Sequence, residues 1–433
     1  MAYIELGDIC DVVKGEIGIT KAVPGEYPMV TTGADRISNN KFQLDTEAVL
    51  VPLVSATGHG HASIKRIHYQ EGKFAFGSIL AACVPKDDKY SAKFLHIYFQ
   101  LMKDYVLVPL MKGSANVSLT LGNLKTAKVP DISREVQESI VKLYSTLKIE
   151  QDEAISILSI QKKDIDTLRQ AILQEAVQGK LTAKWREVNP SVENASVLLK
   201  RIEAEKQQLI TEKKIKKEKP LPLIEEDEKP YELPASWVWC RLGSYCKQIV
   251  VGYVGPVKQH FVKENGIPMI STTHVGKRKF VYNDFKLLSN SFNTKQPKSR
   301  AVPGDIIIAR HGDSGKNCIV PDDYKEYQVS NVVLLRPMEK LNNTQYICNS
   351  VNILKTVLQE SRVGAVFQVV NTGTMMELYF PLPPLQEQQA IVEKVNSLMA
   401  LCDELEQQVD NSQSQIEQLM QSCLKEVFEQ ESN

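Results

Sequence analysis

Nowhere in the 433 residues do apolar side chains run together for the roughly 18 that a membrane-spanning helix needs. The opening Met1-Ala2-Tyr3-Ile4-Glu5 lacks the charged and then apolar grammar of a secretory signal. A cytoplasmic protein without membrane contact is therefore expected. Cysteine is sparse too: eight are scattered with no C-x-x-C spacing, which argues for reduced, buried thiols and against a disulfide framework or a zinc knuckle. Net charge is zero, with 52 basic against 52 acidic residues, so any nucleic-acid partner must meet a local basic surface. Catalytic grammar is missing as well. Gly315-Lys316 has Arg310 where a P-loop needs its first glycine and Asn317 in place of Ser or Thr. No G-x-G-x-x-G follows a strand, and no Gly-x-Ser-x-Gly elbow occurs.

Two stretches also lack glycine and proline, and these organise the chain. Across residues 133–177, Ile140, Tyr144, Leu147, Gln151, Ala154, Leu158, Gln161, Ile165, Leu168 and Ile172 step by four and three in alternation. That is the seam of a coiled coil. Adding 251 to each number gives Ile391, Val395, Leu398, Cys402, Leu405, Val409, Ser412, Ile416, Leu419 and Cys423. Each rod of roughly 45 residues would be about 65 Å long. Glycine in Gln178-Gly179-Lys180 can close the first helix.

The segments before each helix repeat as well. Leu6-Gly7 answers to Leu242-Gly243, and Pro28-Met29-Val30-Thr31-Thr32 to Pro268-Met269-Ile270-Ser271-Thr272. Pro85 pairs with Pro337, Gly113 with Gly364, Gly122 with Gly373, and Pro130 with Pro381. A repeat with kept spacing fixes an architecture of globular domain, then long helix, twice over. The interval grows along the copies, so the second domain carries extra residues near its start. Between the halves, an amphipathic helix over 196–213 leads into Lys213, Lys214, Lys216, Lys217 and Lys219, then acids and prolines. This reads as a connector, extended and solvated in its second half. The expected divisions are 1–130, the helix 131–180, the connector 181–235, a second domain 236–381 and the helix 382–430. The seam does not decide between parallel and antiparallel pairing. Two similar halves tend to pair about a two-fold axis, which sets the helices antiparallel with the domains at opposite ends.

Charge by segment points to nucleic acid. From Val257 to Lys316, eleven Lys or Arg stand against four Asp or Glu. Candidate contacts there are Lys258, Gln259, Thr272, Thr273, His274, Lys277, Arg278, Lys279, Lys298, Arg310 and Lys316, cations for phosphates and polar groups for base edges. In the first domain they are Lys21, Thr31, Thr32, Arg36, His59, His61, Lys65, Arg66, Lys112 and Asn116. His59, His61 and His68 could instead hold a metal, but no cysteine or carboxylate cluster joins them. A glycine-supported loop that presents side chains to a ligand, or a plain structural turn, remains open. From Leu385 to Asn433, ten acids face only Lys394 and Lys425, a surface for water or a protein partner. Pro321-Asp322-Asp323-Tyr324-Lys325 has nuclease-like residue types packed too closely in sequence, so it reads as a surface turn.

With both halves in view, the chain resembles the specificity subunits of type I restriction–modification systems over nearly its whole length. Residues 168–181, Leu168-Arg169-Gln170-Ala171-Ile172-Leu173-Gln174-Glu175-Ala176-Val177-Gln178-Gly179-Lys180-Leu181, are similar to the family's signature closing the central helix. Pro381-Leu382-Pro383-Pro384-Leu385-Gln386-Glu387-Gln388 is similar to the opening of the distal one. Glu232-Leu233-Pro234-Ala235-Ser236-Trp237 and Pro303-Gly304-Asp305-Ile306-Ile307-Ile308 also resemble family stretches. The first helix departs from the pattern, opening with Val129-Pro130-Asp131-Ile132-Ser133-Arg134-Glu135. The resemblance implies two globular α/β target recognition domains separated by an intramolecular antiparallel two-helix coiled coil, pseudo-two-fold symmetric. Each domain would read half of a split double-stranded DNA sequence. The helices would dock two methyltransferase subunits, and restriction subunits could join them. S-adenosylmethionine, ATP and Mg would sit on those partners, with no cofactor, metal or catalytic residue on this chain. A coiled-coil protein scaffold and a stand-alone nuclease are the alternative functions.

Overall fold

The structure, a computed structural model, describes residues 2–57, 60–114, 116–276, 278–310, 316–360 and 371–430. His59, Lys277, Gly315 and Gly364 lie outside the described residues. Two compact units emerge, one of residues 1–161 with 408–433 and the other of 162–407.

In the first unit, strands Cys10–Lys14, Leu80–Pro85, Ala48–Pro52 and His68–Gln70 form an antiparallel sheet in that order. Ala48-Val49-Leu50-Val51 is buried on both faces, as an unbroken apolar run requires. Helix Ala92–Val106 is started by Ser91, whose hydroxyl accepts from the Phe94 N–H. It contributes Phe94, Leu95, Tyr98 and Phe99 to the core that also takes in Val49 and Val51. Each such fully buried side chain contributes about 1.5–3 kcal/mol. A second sheet runs Ile37–Asn39, Tyr27–Val30, Lys73–Phe76, Leu44–Asp45, with one parallel step that sets Met29 opposite Ala75. Tyr3–Glu5 and Lys128–Pro130 form a separate pair.

The second unit repeats this plan. Gln248–Val251, Val332–Arg336, Ile306–Ala309 and Asn317–Ile319 make the antiparallel sheet. A five-stranded sheet again holds one parallel step, Met269 opposite Gln328. Val238–Arg241 pairs with Tyr379–Leu382 as Tyr3–Glu5 does with Lys128–Pro130. Strand Phe261–Val262 and helix Asn290–Lys295 have no counterpart among the described elements of the first unit.

The long helices are Arg134–Val177 and Leu385–Gln430. The first ends in a Schellman turn: Lys180 N–H donates to the Glu175 carbonyl and Gly179 N–H to that of Ala176. Gly179 has φ +73°, and a Cβ there would lie 2.7 Å from Pro234, so both conformation and space demand glycine. Within the second unit alone the pairing is antiparallel. Arg169 bonds Asp403 and Glu406 at 2.6 and 2.8 Å, while Thr182, beyond the first helix, bonds Glu387 near the start of the last.

The helix seam differs from the sequence expectation in one respect. Ile140, Ile165, Ile172, Ile391, Val395, Cys402 and Val409 are buried, and Tyr144, Leu147, Leu158, Leu398 and Ile416 half-buried. Leu168, Leu405 and Leu419, by contrast, are 45, 44 and 64% exposed. Their places are taken one residue later by Arg169, Glu406 and Met420. A heptad leaves open whether the companion of a seam residue sits three or four positions on, and a straight helix drifts about 20° per heptad against that repeat. Arg169 and Glu406 take the inner line there, with the exposed Asp403 also bonding Arg169, and Leu168 and Leu405 turn outward.

Two buried glutamines, 251 residues apart, tie each long helix to its own domain. Gln137 accepts from Ser91 N–H and donates to the carbonyls of Lys89 and Ile132. Gln388 accepts from Tyr245 Oη–H and Asn343 N–H and donates to the Pro383 carbonyl. The different opening of the first helix therefore leaves this joint intact, with Ser133 Oγ accepting from Val136 N–H. The connector's helix is Ala195–Thr211, capped by Asn194. Its second half is extended but not free of the domain. Arg241 donates to the carbonyls of Pro222 and Leu223, and Tyr231 packs edge-on against Trp239. Arg241, itself buried, needs those carbonyls as acceptors.

Candidate nucleic-acid interface

In the first domain, residues 53–55 and 117–119 lie side by side. Ser55 N–H donates to Val117, Leu119 N–H to Leu53, and Val54 bridges Ser118. Gly60, with φ +80°, passes so near the Ser114 carbonyl that a Cβ would come within 2.5 Å. Hydroxyls set the loop: Thr57 Oγ1 meets Ser63 Oγ at 2.9 Å, and Ser55 and Thr57 both bond the His61 carbonyl. This brings His61, Lys112 and Asn116, all exposed, onto one pair of adjoining loops. Lys21, Thr32 and Lys65 are also exposed, on other segments.

Two first-domain candidates serve the fold instead. Thr31 is buried and its hydroxyl accepts from Gly33 N–H. Arg36 is half-buried, donating from Nε to Gln70 and from its other nitrogens to the Tyr69 carbonyl and His68 Nδ1. With those donors engaged it braces residue 36 to strand His68–Gln70, and base edges would have to displace these partners. Arg66 is half-buried nearby. His68 faces Arg36, the reverse of what a cation site needs, and among the described residues no three His, Cys, Asp or Glu gather as metal ligands.

Burial, with Arg36 and Arg66 close by, pushes His68 down to about 4. The folded value lies below the unfolded one, so unfolding takes up a proton between them. The stabilisation is complete above about pH 6.5 and is lost as pH falls toward 4, some 3 kcal/mol if His68 acted alone. The first domain's denaturant midpoint should fall across that window in wild type and much less in His68→Gln. Parallel decline in both proteins would assign the effect elsewhere.

In the second domain, Thr272–His274 is a short 3₁₀ turn at the end of strand Ile267–Ile270. Thr272 is half-buried and Thr273 exposed. His274 is buried, and the expectation that it reads bases fails. Its Nδ1 accepts from Ser271 N–H and its ring stacks on Phe285 with centroids 5.1 Å apart. Burial pulls its pKa down, which favours the neutral ring, and Nε2 has no partner among the described residues. Arg278 also turns inward: its Nε is buried, and burial holds the guanidinium below the usual arginine range. Lys258, Gln259, Lys279 and Lys298 are exposed, and Arg310 and Lys316 half-buried. Helix Asn290–Lys295 gathers part of this set, since His260 packs on Phe292 beside Lys258 and Gln259. Tyr282 Oη bonds Asp323, which ties the 321–325 turn to the neighbouring segment.

Sequence reasoning missed the hydroxyl lattice of Ser55, Thr57 and Ser63, the two pinning glutamines and Glu387. The glutamines had a sequence signal in their offset of 251, and Glu387 lay in the Pro381–Gln388 stretch that resembles the family. If the open lysines meet phosphate, changing Lys258, Lys279 and Lys298 to alanine should lower DNA affinity. The log–log salt slope should flatten by about 0.9 for each phosphate that is no longer neutralised. An unaltered slope would place these lysines away from DNA.

Over residues 1–158 and 234–417 the chain matches the family described as type I restriction modification DNA specificity domain. It is 31% identical over 258 residues to the type I restriction enzyme EcoEI specificity subunit of Escherichia coli, covering 58% of this chain and 43% of that one. It is 34% identical over 268 residues to the EcoAI specificity subunit of the same species, covering 60% and 44%. In these two alignments the chain spans under half of the relatives' length. The fold is similar to a chain from a structure described as showing complex assembly and conformational transition of the type I R-M system. That match has a TM-score of 0.61 and 16% identity, covering 99% of this chain and 97% of the other. The HsdS subunit from Thermoanaerobacter tengcongensis is similar with a TM-score of 0.50 and 16% identity, covering 99% and 96%. The duplicated domains, the helix pair and the matched residues have one conclusion: the chain belongs to the type I restriction modification DNA specificity domain family.

Proposed function

We propose that this chain is a sequence-specific DNA-binding subunit that recognises a bipartite target. In this reading each domain meets one half-site, and the antiparallel helices space the two domains. The observation that carries it is the duplication itself. Two domains with the same strand plan, each with the same parallel step and the same buried glutamine at its helix, suit two half-sites better than one. The first domain presents His61, Lys112 and Asn116 with Lys65, Lys21 and Thr32. The second presents Lys258, Gln259, Thr272, Thr273, Lys279 and Lys298, with Arg310 and Lys316. Lysine–phosphate contacts would supply salt-dependent affinity, and each good base contact about 1–3 kcal/mol of discrimination.

Two methyltransferase subunits are the proposed protein partners, with restriction subunits joining through them. The long helices leave Ile149, Ile157 and Ile160 more than half exposed, together with the outward Leu168, Leu405 and Leu419. Apolar rows of this kind on a polar helix fit a protein partner. S-adenosylmethionine, ATP and Mg are assigned to those partners, and this chain breaks no bond. The Asp322–Asp323 turn, with Asp323 bonded to Tyr282, does not favour the nuclease alternative.

The test is domain exchange. Replacing residues 1–130 with the matching segment of another such chain should change one half of the methylated sequence and leave the other intact. Methylation mapping of cellular DNA reads both halves at once, and a change in both would refute the division of labour.

A further inference from the structure

The second domain carries elements that the first lacks, and their surroundings are rich in lysine. Residues 1–130 hold 14 Lys or Arg against 12 Asp or Glu, whereas residues 236–381 hold 18 against 10. Most of the excess falls in residues 258–300, where nine Lys or Arg stand beside two acids, Glu264 and Asp284. That segment includes strand Phe261–Val262 and helix Asn290–Lys295.

Packing joins these elements into one piece. Phe261 and Val262 pair with Leu288 and Leu287, as the outermost strand of the five-stranded sheet. Ser289 N–H donates to the His260 carbonyl at 3.0 Å, and the His260 ring lies on Phe292. Asn290 donates from Nδ2 to the Asn265 carbonyl at 3.1 Å. A polar relay fixes the helix to the sheet. Ser299 Oγ–H donates to Gln328 Oε1 at 2.6 Å, Gln328 Nε2 to Asn293 Oδ1, and Asn293 Nδ2 to Glu326 at 2.9 Å. Asn293, Ser299 and Gln328 are all buried, and a satisfied network of this kind holds its members in one arrangement.

On this frame stand Lys258, Lys263, Lys286, Lys295 and Lys298, all exposed. None of the five forms an ion pair among the described residues, whereas Arg300 is turned to the Asn293 carbonyl. Open ammonium groups on a fixed frame suit the backbone of double-stranded DNA, which offers phosphates and asks for no base-specific group.

We propose that this lysine-bearing piece is a phosphate-binding platform that makes the second domain the electrostatic anchor of the chain on duplex DNA. It holds DNA of any sequence, while the first domain, nearly balanced in charge, adds mainly the contacts to its own half-site. Lys263, Lys286 and Lys295 thereby join the contact set as members blind to sequence. The platform rests on the DNA-binding function proposed above.

Fluorescence anisotropy of the full chain with a short duplex of random sequence, across a salt series, tests it. The triple variant Lys263→Gln, Lys286→Gln, Lys295→Gln should flatten the log–log salt slope by about 2–3, near 0.9 for each lost phosphate. Affinity for the random duplex and for the target found by methylation mapping should fall by the same factor, because phosphate contacts carry no sequence. The first-domain triple Lys21→Gln, Lys65→Gln, Lys112→Gln should flatten the slope by less than about 1. Circular dichroism checks folding; if the second-domain triple fails it, the pair Lys263→Gln, Lys295→Gln carries about two-thirds of the expected change.

An equal or larger change in the first-domain triple overturns the anchor. An unaltered slope in the second-domain triple overturns the platform and leaves these lysines as guards of an exposed sheet edge, with the DNA-binding function intact. A loss confined to the mapped target would make them base readers and overturn it too. If the wild-type chain binds neither duplex at low salt, the DNA-binding function itself fails, and the platform with it.

Discussion

Glu387→Ala is expected to cost the second unit about 3–5 kcal/mol, the loss typical when one partner is removed from a buried ion pair. The Glu387 carboxylate is 0% exposed. One oxygen accepts from Thr182 Oγ1–H at 2.7 Å and from Arg186 at 2.5 Å, and the other from Trp237 Nε1–H at 2.8 Å. Alanine would leave a mostly buried guanidinium and an indole N–H without their acceptor. Three segments meet here: the residues after the first long helix, the entry to the second domain, and the first turn of the last helix. Glu387→Gln keeps the shape and loses the charge, so it should cost less than alanine. Trp237→Phe removes one hydrogen bond along with some packing, worth about 1–2 kcal/mol. Denaturant unfolding followed by tryptophan fluorescence measures all three. A loss below about 1 kcal/mol for Glu387→Ala would mean that water replaces the carboxylate and that the joint is not a structural lock.

The second large effect concerns length. A heptad inserted after Leu158 alone adds about 10 Å to one helix and none to its partner. Every seam residue beyond it then faces the wrong level, and activity should be lost. Inserting a heptad in the last helix as well, after Asn411, restores the pairing and lengthens the rod. The longer rod still mismatches the original target, because a heptad advances a coiled coil with little rotation while about three base pairs turn the groove by roughly 100°. Three paired heptads add about 31 Å, near the 34–36 Å of one DNA turn, so methylation should return on targets with about ten more spacer base pairs. Methylation mapping across a library of spacers reads this directly. Full activity on the original spacer with one unpaired heptad would show that the helices are not the ruler. The expected loss is large, on the order of 10²–10⁴, because linked binding gains nothing when geometry forbids simultaneous engagement.

How far the sequence was legible varies with the kind of residue. Periodicity revealed the long helices, since apolar spacing in a rod needs only local geometry. The offset of 251 revealed the duplication, and the structure carries it down to the parallel step at Met29 and Met269. The seam was legible to within one residue, which was enough to misplace Leu168, Leu405 and Leu419. The choice between steps of three and four depends on what the partner helix offers, here Asp403 and Glu406 for Arg169. Candidate nucleic-acid contacts were legible by type only. Lys258, Lys279 and Lys112 are open, whereas Arg36, His274 and Arg278 carry the same chemistry into the fold.

Composition, the missing catalytic motifs and the repeat settled the architecture, because each is a property of residues near in sequence or at a constant offset. Tertiary structure alone decided which cations are spent on the protein itself. A guanidinium is worth the same to a phosphate as to a carboxylate until burial and neighbours are known, and those come from segments far apart in the chain. The connector is a further case. Its prolines and charges pointed to an extended segment, and so it is, but the contacts that hold its second half, Arg241 buried beneath it and Trp239 against Tyr231, came from the tertiary structure.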